Sequence, residues 1–157
     1  MIELRGELQL ALQADDRERI DRVIAAGAEE DFETLQALVE DQSTPSSFRR
    51  KALDALARWP DKAEETVTTV ASALPQLDEV ERMGAIKALE RVGNEQALEV
   101  IAAYADDPAP DVRRQVAKAL ARIGTPRAVE ILRNLAATER VDYVRDRAEG
   151  LLRDWAR

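Results

Sequence analysis

Val112-Arg113-Arg114-Gln115-Val116-Ala117-Lys118-Ala119-Leu120 decides the fold, because the chain repeats its pattern on both sides. Phe48-Arg49-Arg50-Lys51-Ala52-Leu53-Asp54-Ala55-Leu56 and Glu81-Arg82-Met83-Gly84-Ala85-Ile86-Lys87-Ala88-Leu89 precede it, and Val144-Arg145-Asp146-Arg147-Ala148-Glu149-Gly150-Leu151-Leu152 follows. A fainter copy is Asp16-Arg17-Glu18-Arg19-Ile20-Asp21-Arg22-Val23-Ile24. Arginine holds second place in every copy, at 17, 49, 82, 113 and 145, in steps of 32, 33, 31 and 32 residues. A fixed period of that length marks a repeat architecture in which each copy is one supersecondary unit.

The inner logic of each copy is helical. With the first residue of a copy as zero, places 4, 7, 8 and 11 are small or apolar. They hold Ala52, Ala55, Leu56 and Trp59; Ala85, Ala88, Leu89 and Val92; Val116, Ala119, Leu120 and Ile123. That spacing is one stripe of a helix, and alanine at places 4 and 7 lets neighbouring helices approach closely. Trp59 and Trp155 both fall at place 11 and read as core. Gly93 and Gly124 stand where a left-handed C-cap ends two of these helices. Asn94 is placed to cap the next helix, and Thr125-Pro126 supplies a cap with proline in first position. Ala97, Leu98, Ile101 and Tyr104, then Ala128, Val129, Leu132 and Leu135, give the following segments their own stripes.

This predicts a first helix near 2–14, with Leu4, Leu8 and Leu12 on one face. Arginine helices follow near 16–27, 46–59, 78–92, 110–123 and 141–156, with others between them near 31–41, 62–74, 95–105 and 126–138. That makes ten helices in five pairs. No Ser/Gly linker divides the chain, so the expectation is one domain, 1–157, stable because stacked repeats bury each other's stripes. The first and last pairs act as caps. The charged run Asp15 to Asp21 suits one end, and Leu151, Leu152 and Trp155 sit in packing register at the other.

Composition agrees and excludes several chemistries. Of 157 residues, 45% are hydrophobic and only 4% aromatic, a helical rather than a sheet mixture. There is no cysteine and no histidine, so disulfides, thiolate nucleophiles, Cys/His zinc sites and imidazole-based triads are impossible. The six glycines are scattered singly and build no phosphate-cradling loop. Asp106-Asp107 and Asp15-Asp16 lie beside proline or a helix start, where acids cap and complement the dipole. A non-enzyme without metal or cofactor is expected. No apolar run reaches a membrane span, and Met1-Ile2-Glu3-Leu4-Arg5 lacks a signal-peptide head, so a cytoplasmic location is expected.

The stretches Asp107-Pro108-Ala109-Pro110-Asp111-Val112-Arg113, Ala117-Lys118-Ala119-Leu120-Ala121-Arg122-Ile123-Gly124 and Ala128-Val129-Glu130-Ile131-Leu132 together resemble a HEAT repeat. The resemblance is to the short kind found in phycobilisome bilin lyases and many bacterial scaffold proteins. It is strong over residues 46–157 and weak before them. It implies an all-α fold, a right-handed α-solenoid (α/α superhelix) of about five helix pairs, with the arginine helices lining the concave face. It also implies a structural ladder of an acid six residues before each arginine, matched by Asp107 with Arg113 and by Glu139 with Arg145. Gln76 before Arg82, Ser43 before Arg49 and Ala11 before Arg17 do not match, so the ladder is expected to break toward the N-terminus, although Arg82 and Arg49 keep their places in it.

Charge is unevenly shared. The chain carries −8 overall, yet the arginine segments 46–60 and 110–124 are each +3, and the acid gathers elsewhere, most densely from Glu29-Glu30-Asp31 to Glu40 and Asp41. In the implied geometry the concave face is neutral to basic. Its candidate binding residues are Arg50, Arg58, Lys87, Arg91, Arg114, Lys118 and Arg122, with Arg58, Arg91 and Arg122 at one place of three consecutive repeats. Such a row can grip carboxylates or phosphates. The expected function is a protein-protein interaction scaffold whose partner supplies an acidic segment. The alternative from the resemblance is a bilin (tetrapyrrole) lyase or chaperone, with propionates on the same arginines. Nucleic-acid binding is disfavoured by net charge and by the placing of both tryptophans in the core. The sequence sets no oligomeric state.

Overall fold

The computed structural model describes residues 6–14 and 16–157. The expected helical residues 2–5, Leu4 among them, and Asp15 of the charged N-terminal run lie outside the described residues. Ten α-helices and no strand occur among the described residues. They are α1 Gly6–Gln13, α2 Arg17–Ala26, α3 Glu29–Glu40, α4 Ser46–Arg58, α5 Ala63–Ala73, α6 Glu79–Val92, α7 Glu95–Ala102, α8 Pro110–Ile123, α9 Pro126–Thr138 and α10 Asp142–Trp155. A 3-10 turn, Leu74–Gln76, continues α5 through Pro75.

Local chemistry explains the boundaries. Gly93 and Gly124 end α6 and α8 at φ 62° and 63°, and each donates its N–H to a carbonyl four residues back. The Asn94 side chain accepts from the Ala97 N–H at 2.8 Å, and the Thr125 hydroxyl accepts from Ala128 at 3.2 Å ahead of Pro126. Asp78 and Glu81 form a reciprocal capping box at the start of α6, which the repeat pattern did not single out. Helix α7 stops at Ala102, short of the expected 105. Its end tightens into three-residue turns, with Tyr104 N–H to Ile101 and Ala105 N–H to Ala102, before Pro108.

The described residues fall into two compact units, one ending at Leu77 and one running Asp78–Arg157. In the first, α1 packs on α2 and α4, and α4 also meets α3 and α5. Phe32 and Trp59 meet there as tilted rings 5.5 Å apart, both buried. In the second, α6, α8 and α10 lie side by side, with α7 against α6 and α8, and α9 against α8 and α10. Ala85, Ala88, Leu89, Val116, Ala119 and Leu120 are all buried, so places 4, 7 and 8 are packing positions. Gln115 is a polar exception inside α8, and its Nε2 meets no acceptor among the described residues.

Place 11 departs from the expectation. Trp59 is core, but Val92 and Ile123 are half-buried and Trp155 is 46% exposed, with Leu151 and Leu152 only partly covered. For the two tryptophans coverage is the reason: α4, which Trp59 closes, packs on α1, α2, α3 and α5, whereas α10 packs mainly on α8 and α9.

Two glycines, one inside α6 and one just past its end, are expected to respond oppositely to alanine. Gly93→Ala forces a Cβ into the left-handed region, 3.2 Å from the Glu90 carbonyl, and should cost about 1–2 kcal/mol. Gly84→Ala sits inside the helix with nothing within 4 Å and should stabilise by about 0.5–1 kcal/mol. Urea midpoints of the two variants, measured side by side, check both signs.

Candidate interaction surface

Three of the second-place arginines, Arg49, Arg82 and Arg113, tie neighbouring elements together. Arg82 of α6 donates to both carboxylate oxygens of Asp107, Nε at 2.9 Å and Nη2 at 3.0 Å. Arg113 of α8 holds Glu139 in the same two-pronged way, at 2.7 and 2.8 Å. Each acid stands in the loop before the next arginine helix and is aimed by loop N–H groups. Ala109 donates to Asp107 at 2.9 Å, and Arg140 and Val141 donate to Glu139 at 3.1 and 3.0 Å. The Arg113 hydrogen bonds hold the Glu139 carboxyl below its ordinary range, with Val141 and Arg140 adding to the effect.

The side-chain ladder therefore runs forward, from one arginine helix to the loop ahead, and not within a repeat over six residues. Arg113 does meet Asp107, but through its main-chain oxygen at 2.8 Å. Arg49 likewise donates to the Asp41 carbonyl at 2.7 Å. Arg145 pairs at 2.8 Å with Asp142, whose side chain is exposed, while Arg145 itself is half-buried, and Glu139 belongs to Arg113. Gln76, at the place that holds Asp107 one repeat later, accepts from the Gln42 amide.

Of the candidate binding residues, those of the second unit fall on two adjacent helices. Helix α8 is flanked by α6 and α10 and covered by α7 and α9, which leaves one stripe to solvent. On that stripe stand Arg114, Lys118 and Arg122, successive residues separated by one helical turn, about 6 Å. Arg114 and Arg122 are exposed and Lys118 is half-buried. Lys87 and Arg91 are exposed on α6. Arg122 reaches Glu90 at 3.3 Å yet stays 78% exposed, because the acid lies low between the helices and the guanidinium lies over it.

The candidates of the first unit are placed differently. Arg50 is exposed on α4. Arg58 is only 10% exposed and is held by Asp21 and by Asp54, at 2.9 Å from the latter. With two acids around it, Arg58 is a link between α2 and α4 and presents little charge to a partner.

Two aromatic residues near this stripe had no signal as surface groups in the repeat pattern. Tyr143 is 48% exposed, and its hydroxyl donates to Asp111 Oδ1 at 3.2 Å. The Arg114 guanidinium lies 5.7 Å from its ring centroid. Partial burial and the Asp111 contact push the phenol's pKa up. At the other end of α8, the Trp155 indole nitrogen lies 3.6 Å from where a Cβ on Gly124 would stand.

Among the described residues no group of three or more Asp or Glu side chains is arranged to hold a metal ion. No described helix is long and apolar enough to cross a membrane. A family model described as HEAT repeats matches residues 70–153, a little over half the chain. No curated protein matches it. Among solved structures the chain is similar to a de novo designed 16-helix transmembrane nanopore, at 24% identity over 96% of this chain and 48% of that one. The TM-score of that pair is 0.21, so the likeness carries no argument. The chain spans 48% of the length of that designed chain.

Proposed function

The chain belongs to the HEAT-repeat family, whose repeats generally mediate protein-protein interaction, and from that premise we propose that it is a scaffold capturing an acidic protein segment. In this reading its helix pairs follow a right-handed superhelical path as one domain. Arg114, Lys118 and Arg122, with Lys87 and Arg91 beside them, then line the concave face. One observation carries the proposal: three cations in register occupy the solvent stripe of α8 in a chain whose net charge is −8. Arginine offers a carboxylate two parallel donors, so such a stripe selects for acids spaced along a partner backbone.

The test uses a fluorescein-labelled glutamate-rich peptide and the triple variant Arg114→Glu, Lys118→Glu, Arg122→Gln. Position 122 is only neutralised, since Glu90 lies under it. Affinity by anisotropy should fall at least about tenfold, and wild-type binding should weaken steeply as salt rises past about 0.15 M. The thermal midpoint should stay near that of the wild type, because the substituted side chains lie in the solvent stripe. Equal peptide affinity in the two proteins removes this surface from consideration.

A further inference from the structure

The two half-exposed aromatics of α10 frame the cation stripe of α8. Tyr143 is held at the N-terminal end of α8 by its hydrogen bond to Asp111 and by the Arg114 guanidinium over its ring. Trp155 is held at the C-terminal end, against the Gly124 turn. Each ring thus has α8 on one side and is about half exposed. The two stand twelve residues apart on one helix, about 18 Å along its axis, against about 12 Å from Arg114 to Arg122, so the rings lie beyond the two ends of the stripe. Large apolar rings kept half in water beside arginines are the side-chain types that dominate binding energy where partners anchor.

We propose that α8 and α10 form a clamp for an amphipathic acidic helix. Three of its carboxylates, one turn apart, face Arg114, Lys118 and Arg122. An apolar side chain beyond each end of that run packs on Tyr143 or on Trp155. The proposal rests on the acidic-partner reading above and adds the partner's conformation and its two apolar ends. A helix is the occupant because acids at i, i+4 and i+8 repeat at the same 6 Å as the cations, about one turn of α8 itself.

A cationic track with aromatic rings is also the chemistry of single-stranded nucleic acid grooves. The surroundings disfavour a continuous phosphate backbone: Asp111 is paired to Arg114, Glu90 to Arg122, and Asp142, Asp146 and Asp154 are exposed along α10, so it would meet acid at several points. An acidic helix needs cations only at every fourth residue.

The experiment measures anisotropy of the full chain with three labelled probes. The first is an alanine-rich helical peptide of about 16 residues, with glutamates at i, i+4 and i+8 and leucine or phenylalanine at both ends. The second is the same peptide with serine at the ends, and the third is a thymidine oligonucleotide. The first peptide should bind about tenfold tighter than the second. Tyr143→Ala and Trp155→Ala should each erase most of that preference, read as the ratio of the two peptides' affinities in each variant, with circular dichroism reporting the fold. Equal binding of the two peptides overturns the clamp and leaves the acidic-partner reading standing. Failure of both peptides sinks that reading as well. Tighter binding of the oligonucleotide overturns the proposal in favour of nucleic acid.

Discussion

Replacing Leu120 by alanine is expected to cost about 3–4 kcal/mol, a large fraction of the stability of a small domain. Leu120 is completely buried at place 8 of α8. Its helix is packed by α6 and α10 at its sides and by α7 and α9 beneath, so the walls around it belong to several elements. Those walls cannot all collapse into the space left, and the cost combines lost transfer energy with a persistent cavity. Urea denaturation read by circular dichroism measures it. Trp155→Ala removes a larger side chain but one already 46% exposed, and should cost less than about half as much. A Trp155→Ala loss equal to that of Leu120→Ala would show that the C-terminal turn of α10 is core after all.

Arg113→Ala should destabilise by about 3 kcal/mol, near the lower end for breaking a buried ion pair. The Glu139 side chain is 3% exposed and that of Arg113 15%, so the carboxylate left behind is poorly hydrated until the loop moves. The same deletion also strips a donor from the Asp107 carbonyl, which lies at 2.8 Å. A double-mutant cycle with Glu139→Gln should return a coupling of at least about 1.5 kcal/mol. The matching arginine one repeat later gives the contrast. Arg145 pairs with an Asp142 that is 84% exposed, and Arg145→Ala should cost no more than about 0.5 kcal/mol.

The Arg113–Glu139 tie also predicts a pH dependence. The folded-state pKa of Glu139 lies below the ordinary glutamate value of 4.5. Its contribution is therefore present in full above about pH 4.5 and is lost as pH falls through the lower folded value. The stability gap between the wild type and Glu139→Gln should be wide at pH 7 and should narrow as the medium becomes more acid than that. A gap that stays constant from pH 7 to pH 3 would mean that the two residues are not coupled through charge.

Much of the fold was legible in the chain because its signals are local. Apolar spacing, Gly93 and Gly124 as left-handed caps, Asn94 and Thr125 as N-caps, and the period itself act within a few residues of where they stand. They place α4, α6, α8 and α9 to within a residue or two. The candidate surface was legible only in part. The cations at places 2, 6 and 10 follow from helical rotation, so the α8 stripe could be read in advance. Whether a cation there is available to a partner depends on acids from other helices, and that is why Arg58 is taken up by Asp21 while Arg122 remains open.

The amino-acid order alone determines that this chain makes short amphipathic helices at a fixed period, that their small-residue stripes must be packed against one another, and that histidine and cysteine chemistry is out of reach. Tertiary packing alone decides which acid each arginine holds, since Asp107 and Glu139 are aimed by the turns that carry them and meet the arginine helix before, 25 and 26 residues back. It also decides that one place-11 tryptophan is core and the other is a half-open ring. The same residue at the same place of the repeat is buried or bare according to what covers it, and coverage is set by neighbouring helices and not by the helix's own sequence.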